Sequence, residues 1–201
     1  MLKNLIQFPI PSSNLVVDLN SFCSPFYSNE EIRKVLYHFR KHNFDHYLIV
    51  KYLFTTGASI PDLIHFRMMD FNYEESFLTL QARSRLGFRK ISLEKEFAKE
   101  LYRHGTQYSV DSPIFPGRNG NREERSIQKI LKKASILIAK EITIPTIRDS
   151  IALSFFQSGI SVPEIQTYLG HRSQKSTRYR IQSQQYRLKD ENFSPMNEKA
   201  A

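Results

Sequence analysis

Apolar positions recur at helical spacing through most of this chain and alternate, as in a strand, in one region only. Ile32, Val35, Leu36 and Phe39 fall on one face of a 3.6-residue repeat. Ser28-Asn-Glu-Glu31 just ahead of them has the form of a capping box, so a helix is expected over 29–42. From Phe44 to Phe54 the residues are apolar nearly all round, the pattern of a central buried helix, and Gly57 is placed to end it. Ser59 opens a short helix with Pro61 in its first turn and Asp62 at the third position. Glu75–Leu80 and Phe88–Leu93 alternate as two strands around a basic turn, Arg83-Ser-Arg-Leu-Gly87. A further helix is expected from about Glu94 to His104, then an extended stretch over 112–117 and a polar loop over 118–125. Ile127, Ile130, Leu131, Ala134 and Ile138 mark another helix, with Lys129, Lys132 and Lys133 on its other face. Ile147, Ile151 and Phe155 form one more buried stripe, stopped by Gly159. Ser161-x-x-Glu164 caps the next helix, which ends at Leu169-Gly170, and a basic, hydroxyl-rich segment follows. The pattern predicts an α+β domain, mainly α-helical, with one small antiparallel β-sheet.

Composition narrows the class. With 201 residues, 40% of them apolar, the chain can bury one core of ordinary size. Residues 1–26, with Pro9, Pro11 and Pro25, read as an extended N-terminal arm, 27–188 as the folded domain, and 189–201 as a polar, disordered tail. The net charge of +9 favours an acidic partner, nucleic acid before an anionic membrane surface. The single cysteine, Cys23, excludes an internal disulfide framework and a cysteine zinc site, which fits a reducing compartment. No apolar run approaches the ~20 residues of a membrane span, and no signal peptide is read at the N-terminus.

The order of features then becomes specific. A buried helix ends in Tyr52-Leu-Phe-Thr-Thr-Gly57, and Asp62-Leu63 and Asp70 follow. After the hairpin come Ile147-Arg148, Gly159-Ile160, Leu169-Gly170-His171 and a tyrosine. Over about residues 27–182 this set resembles the catalytic domain of the tyrosine recombinase (phage integrase) family, DNA breaking-rejoining enzymes. The resemblance implies a tyrosine hydroxyl attacking a DNA phosphodiester to give a 3′-phosphotyrosyl link. It further implies two arginines and one or two histidines around the phosphate, and a hairpin lysine as general acid. Such chemistry needs no metal or cofactor.

Carried over residue by residue, the resemblance keeps Arg148 and His171 and departs elsewhere. Ser59 stands where the first arginine is expected, and it also reads as a plain helix N-cap with Asp62. Arg83, Ser84 and Arg85 occupy the lysine turn; arginine, with a pKa above ~12, is a poor proton donor. Lys90 lies on the second strand, out of reach. Pro145 replaces a histidine, and Asp149 stands where another is common. The nucleophile position, nine residues beyond His171, holds Arg180, with Tyr179 one place early. Tyr179 is then the best candidate nucleophile, with Tyr186 second, or else a packing or surface tyrosine. Arg148 is a phosphate ligand or a structural ion pair, and His171 a site residue or a cap. Arg83, Arg85, Lys129, Lys132, Lys133, Arg172, Lys175, Arg178 and Arg180 are the candidate DNA contacts, or solvated faces.

Losing one preorganised donor costs on the order of 10²–10³ in rate, whereas DNA affinity rests on summed charge. The leading expectation is therefore a DNA-binding, catalytically impaired member of the family, cytoplasmic and nucleoid-associated. Such a protein would serve as a regulator, as a passive subunit beside an active recombinase, or as a mobile-element remnant. Its partners are double-stranded DNA and either copies of itself or an active recombinase; no membrane is implied. A short arm in place of a DNA-grasping domain predicts weak, salt-sensitive binding. A divergent active recombinase is the alternative, needing another cation, Arg67 or Arg83, in place of Ser59. A protein-interaction module without a DNA role is the third reading.

Overall fold

The computed structural model describes residues 26–81, 87–118 and 120–191, those from 184 onward by the backbone alone. The N-terminal arm before Phe26, the turn residues Arg83 and Arg85, and the tail from 192 lie outside the described residues. Eight helices follow in order: α1 Asn29–His42, α2 Phe44–Thr56, α3 Ile60–Ile64, α4 Lys95–Gly105, α5 Glu124–Ile138, α6 Ile144–Gln157, α7 Val162–Leu169 and α8 Gln174–Glu191. Strands β1 Phe71–Asn72, β2 Phe77–Gln81 and β3 Phe88–Ser92 form an antiparallel sheet in that order. At the end of the expected extended stretch and the start of the expected polar loop, β4 Pro116–Gly117 and β5 Gly120–Asn121 pair as a second, two-stranded ribbon. The fold is thus the expected mainly helical α+β arrangement, with a third strand on the main sheet and one small ribbon added.

The expected caps form. Ser28 and Glu31 close the capping box of α1, with the Ser28 amide donating to Glu31 at 2.8 Å. The all-round apolar helix α2 is buried from Tyr47 to Thr56 apart from Lys51, and its Leu48, Ile49, Val50 and Leu53 are fully covered. It packs against α1, α5 and α6, so the core surrounds it. Gly57 ends α2 in the left-handed region at φ +58°, and a Cβ there would lie 2.5 Å from Leu169 Cδ2. The end of α2 is thereby pressed against the end of α7. The segment after His171 is an 18-residue helix, α8, which packs on α6 and α7. Its polar composition gives little apolar periodicity; among its residues up to 183, Thr177 and Ile181 are buried.

Candidate functional site

The sequence builds its most charged buried corner from helix ends. Helix α7 ends at Gly170 (φ +64°), where the His171 amide donates to the Gln166 carbonyl at 3.0 Å and the Gly170 amide to Thr167 at 3.2 Å. This Schellman arrangement leaves the last two carbonyls, Tyr168 and Leu169, still in need of donors. Two arginines supply them: Arg89 Nη1 donates to the Tyr168 carbonyl and Arg148 Nη2 to the Leu169 carbonyl, each at 2.7 Å. Cations at the C-terminal end of a helix also oppose its dipole favourably. Arg148 Nη1 donates in addition to the carbonyl of Gly57, so the arginine of α6 ties the ends of α2 and α7 together.

Asp62 completes the frame. Its carboxylate accepts from the Ser59 amide at 2.9 Å in the capping box of α3, and the same oxygen accepts from Arg89 Nη2 at 3.2 Å. From α8, Arg180 Nη1 donates to Asp149 at 2.7 Å. Ser59, Asp62, Arg89, Pro145, Arg148 and Arg180 line one cavity of about 250 Å³, floored by the α7 end. Three guanidiniums therefore share a small hollow with two carboxylates beside them. Burial, and then the charges of Arg89 and Arg180, pull the Arg148 pKa down to about 10, so the group stays cationic at neutral pH. An anion entering the hollow would relieve that repulsion.

His171 lies immediately behind. Its Nδ1 sits 3.0 Å from Thr177 Oγ1, and its buried Nε2 has no hydrogen-bond partner among the described residues. Burial, then the positive charges of Arg148, Arg180 and Arg89, push its pKa down to about 3, so the ring is neutral. Pro145 stands in the first turn of α6, where it gives up no hydrogen bond, behind the N-cap Thr143. It presents an apolar wall to the cavity at the position where the family resemblance implies an imidazole. Tyr179 is 71% exposed and does not line the cavity, while Arg180, one position on, does. The two departures noted separately in the sequence, Asp149 and Arg180, thus meet as one ion pair.

Of the candidate contacts, Lys129, Lys132 and Lys133 are exposed on α5, and Arg172, Lys175 and Arg178 are exposed at and just before the start of α8. Lys132 lines a wider hollow of about 850 Å³ that shares Ser59, Ile144 and Pro145 with the arginine cavity. Lys129 lines another with Arg118, Arg122 and Arg125. Arg67 does not line the cavity; it lines a neighbouring hollow with His65 and Phe88 that shares Asp62 with it. Arg89 is the cavity residue that sequence reasoning passed over. The signal was strand parity: Arg89, Ile91 and Leu93 share one face, and that face is buried, while Phe88 is 71% exposed. Lys90, on the other face, pairs with Glu75 at 3.3 Å.

Among the described residues, no group of three or more His, Cys, Asp or Glu side chains could hold a metal ion. Likewise no helix among them is long and apolar enough to cross a membrane.

A helical domain with this sheet, and with a buried-helix arginine set against a Leu-Gly-His helix end, belongs to the phage integrase family, whose model matches residues 26–186. Within that family the chain is similar to tyrosine recombinase XerA of Pyrococcus furiosus, at 27% identity over 155 residues, 75% of this chain and 54% of that protein. It is 24% identical over 151 residues to a tyrosine recombinase of Pseudothermotoga lettingae, 73% of this chain and 52% of that one. The chain spans about half the length of the curated relatives it matches. Its fold is that of the XerA recombinase crystal structure (TM-score 0.67, 20% identity, 86% of this chain and 66% of that chain). It is also that of XerH bound to a palindromic difH substrate after cleavage (TM-score 0.66, 18% identity, 86% and 53%).

Proposed function

We propose that this domain binds double-stranded DNA by seating a backbone phosphate against Arg148, and that it does not cleave the strand. The observation that carries this is the occupant of the nucleophile position. Arg180 turns into the cavity and pairs with Asp149, while the Tyr179 phenol stands in solvent outside it. A guanidinium stays protonated and cannot attack phosphorus. The exposed cations of α5 and of the α8 start, with the wider hollow of Lys132, extend the positive surface away from the cavity. Contacts of that kind hold a duplex without reading its sequence. The domain would act in recombination or integration as a regulatory or passive partner, in copies of itself or beside an active recombinase, inside the cell and on the nucleoid.

A divergent working recombinase is the second reading. It draws support from Arg89, a cation lining the Ser59 cavity, and it requires Tyr179 or Tyr186 to reach that cavity. Fluorescence anisotropy on a short labelled duplex tests the binding half. Neutralising four phosphates would weaken the complex by about 10²-fold between 50 and 200 mM salt. Binding with that salt response supports the proposal; no binding at low salt supports an interaction module instead.

A further inference from the structure

We propose that Arg89 takes the place of the missing first arginine, gripping the bound phosphate from strand β3 instead of from the start of α3. The inference rests on the phosphate-pocket reading above and adds a ligand to it. Ser59 cannot supply charge, and its hydroxyl is used by the Asp62 amide as a helix cap at 3.4 Å. The guanidinium of Arg89 nonetheless lines the same hollow as Ser59 and Arg148.

Three observations favour a ligand over a purely structural role. First, Arg89 is 3% exposed, yet it offers five N–H donors and two are accounted for, by Tyr168 and Asp62. Its Nε has no hydrogen-bond partner among the described residues, an expense for a buried cation unless something else arrives. Second, the carboxylate within ion-pair distance of it among the described residues, Asp62, is shared with the Ser59 amide, while Arg148 and Arg180 crowd the same space. A guanidinium whose sole task was to cap α7 gains nothing from two like charges nearby. Third, Gly170 leaves room for it: a Cβ there would lie 3.3 Å from Arg89 Nη1. The helix end is thinned directly over the guanidinium, so Arg89 reaches the cavity past the backbone. Asp62 is then a positioning residue, fixing the plane of Arg89 from the capping box.

The test compares wild type with Arg89→Lys, Arg89→Gln, Lys132→Gln and the double variant Ser59→Arg/Arg89→Gln. Duplex affinity is read by anisotropy at low salt, after thermal melts establish that each variant is folded. Arg89→Gln should weaken binding about tenfold or more, the scale of a hydrogen bond to a charged group, and clearly more than the surface change Lys132→Gln. The double variant should recover most of that loss, because position 59 lines the same cavity; restored helix capping could not produce such a rescue. If Arg89→Gln does not fold, Arg89→Lys carries the comparison, with a smaller loss in the same direction. Equal affinities for Lys132→Gln and the folded Arg89 variants, or a double variant no better than Arg89→Gln, would overturn the assignment. Should wild type fail to bind duplex at all, inorganic phosphate separates the two claims. A rise in melting temperature with phosphate for wild type and not for Arg89→Lys keeps Arg89 as an anion ligand while the DNA reading falls. Equal rises, or none in either, remove Arg89 as well.

Discussion

Single residues decide this site by exchange of partners. Asp149 and Arg180 each depart from the family pattern, and together they make a pair whose carboxylate side is buried and whose arginine is 40% exposed. Breaking a fully buried pair costs about 3–5 kcal/mol; with Arg180 in partial contact with water, Asp149→Asn should cost about 1–2 kcal/mol. Urea denaturation reads this as a lower midpoint at constant slope, and an unmoved midpoint would show the pair to be idle. His171 gives a pH signature. Its ring takes a proton near pH 6.5 when unfolded and near pH 3 when folded. The unfolded chain therefore binds more protons between those values, and stability, full above about 6.5, falls as pH drops toward 3. The slope approaches about 1.4 kcal/mol per pH unit for one such site. His46 and His104 are shifted in the same direction by burial, so His171→Gln is the control: its melts between pH 7 and 4 should fall less steeply than wild type by about one proton. Identical slopes would mean that the ring is not held neutral.

At the scale of elements, the helix ends do the positioning. Arg148 sits where it does because α2 and α7 finish against each other with free carbonyls, and Gly57 permits that contact. Gly57→Ala meets both a positive φ and a Cβ only 2.5 Å from Leu169 Cδ2. It should destabilise the domain by about 2–4 kcal/mol and loosen Arg148 with it. Thermal melting and duplex affinity should fall together; a loss of neither would separate the glycine from the site. These ends were legible in the sequence, because Ser28, Ser59, Ser161, Gly57 and Gly170 announce caps through local chemistry. Helix α8 was not, since its polar surface carries almost no apolar period, and its place is set by packing on α6 and α7. Arg89 was hidden for a related reason. A charged residue beside Phe88 reads as solvent-facing until the parity of Ile91 and Leu93 is followed back along the strand.

For the whole molecule, membership of the phage integrase family explains the fold, and the proposed binding without cleavage rests on the charge distribution. Affinity for a polyanion is a sum over many cations, so it survives the loss of a few. Catalysis depends on a handful of aligned groups and does not, since a nucleophile displaced by one helical position is turned by about 100°. The proposal therefore pairs phosphate binding in an open arginine-lined cavity with no strand cleavage. The measurement that tests it most directly is a nicked suicide duplex incubated with the wild-type chain, resolved by denaturing gel and peptide mass spectrometry. The account predicts a salt-sensitive complex on the native gel and no covalent protein–DNA species on the denaturing one. A phosphotyrosyl adduct at Tyr179 or Tyr186 would contradict it.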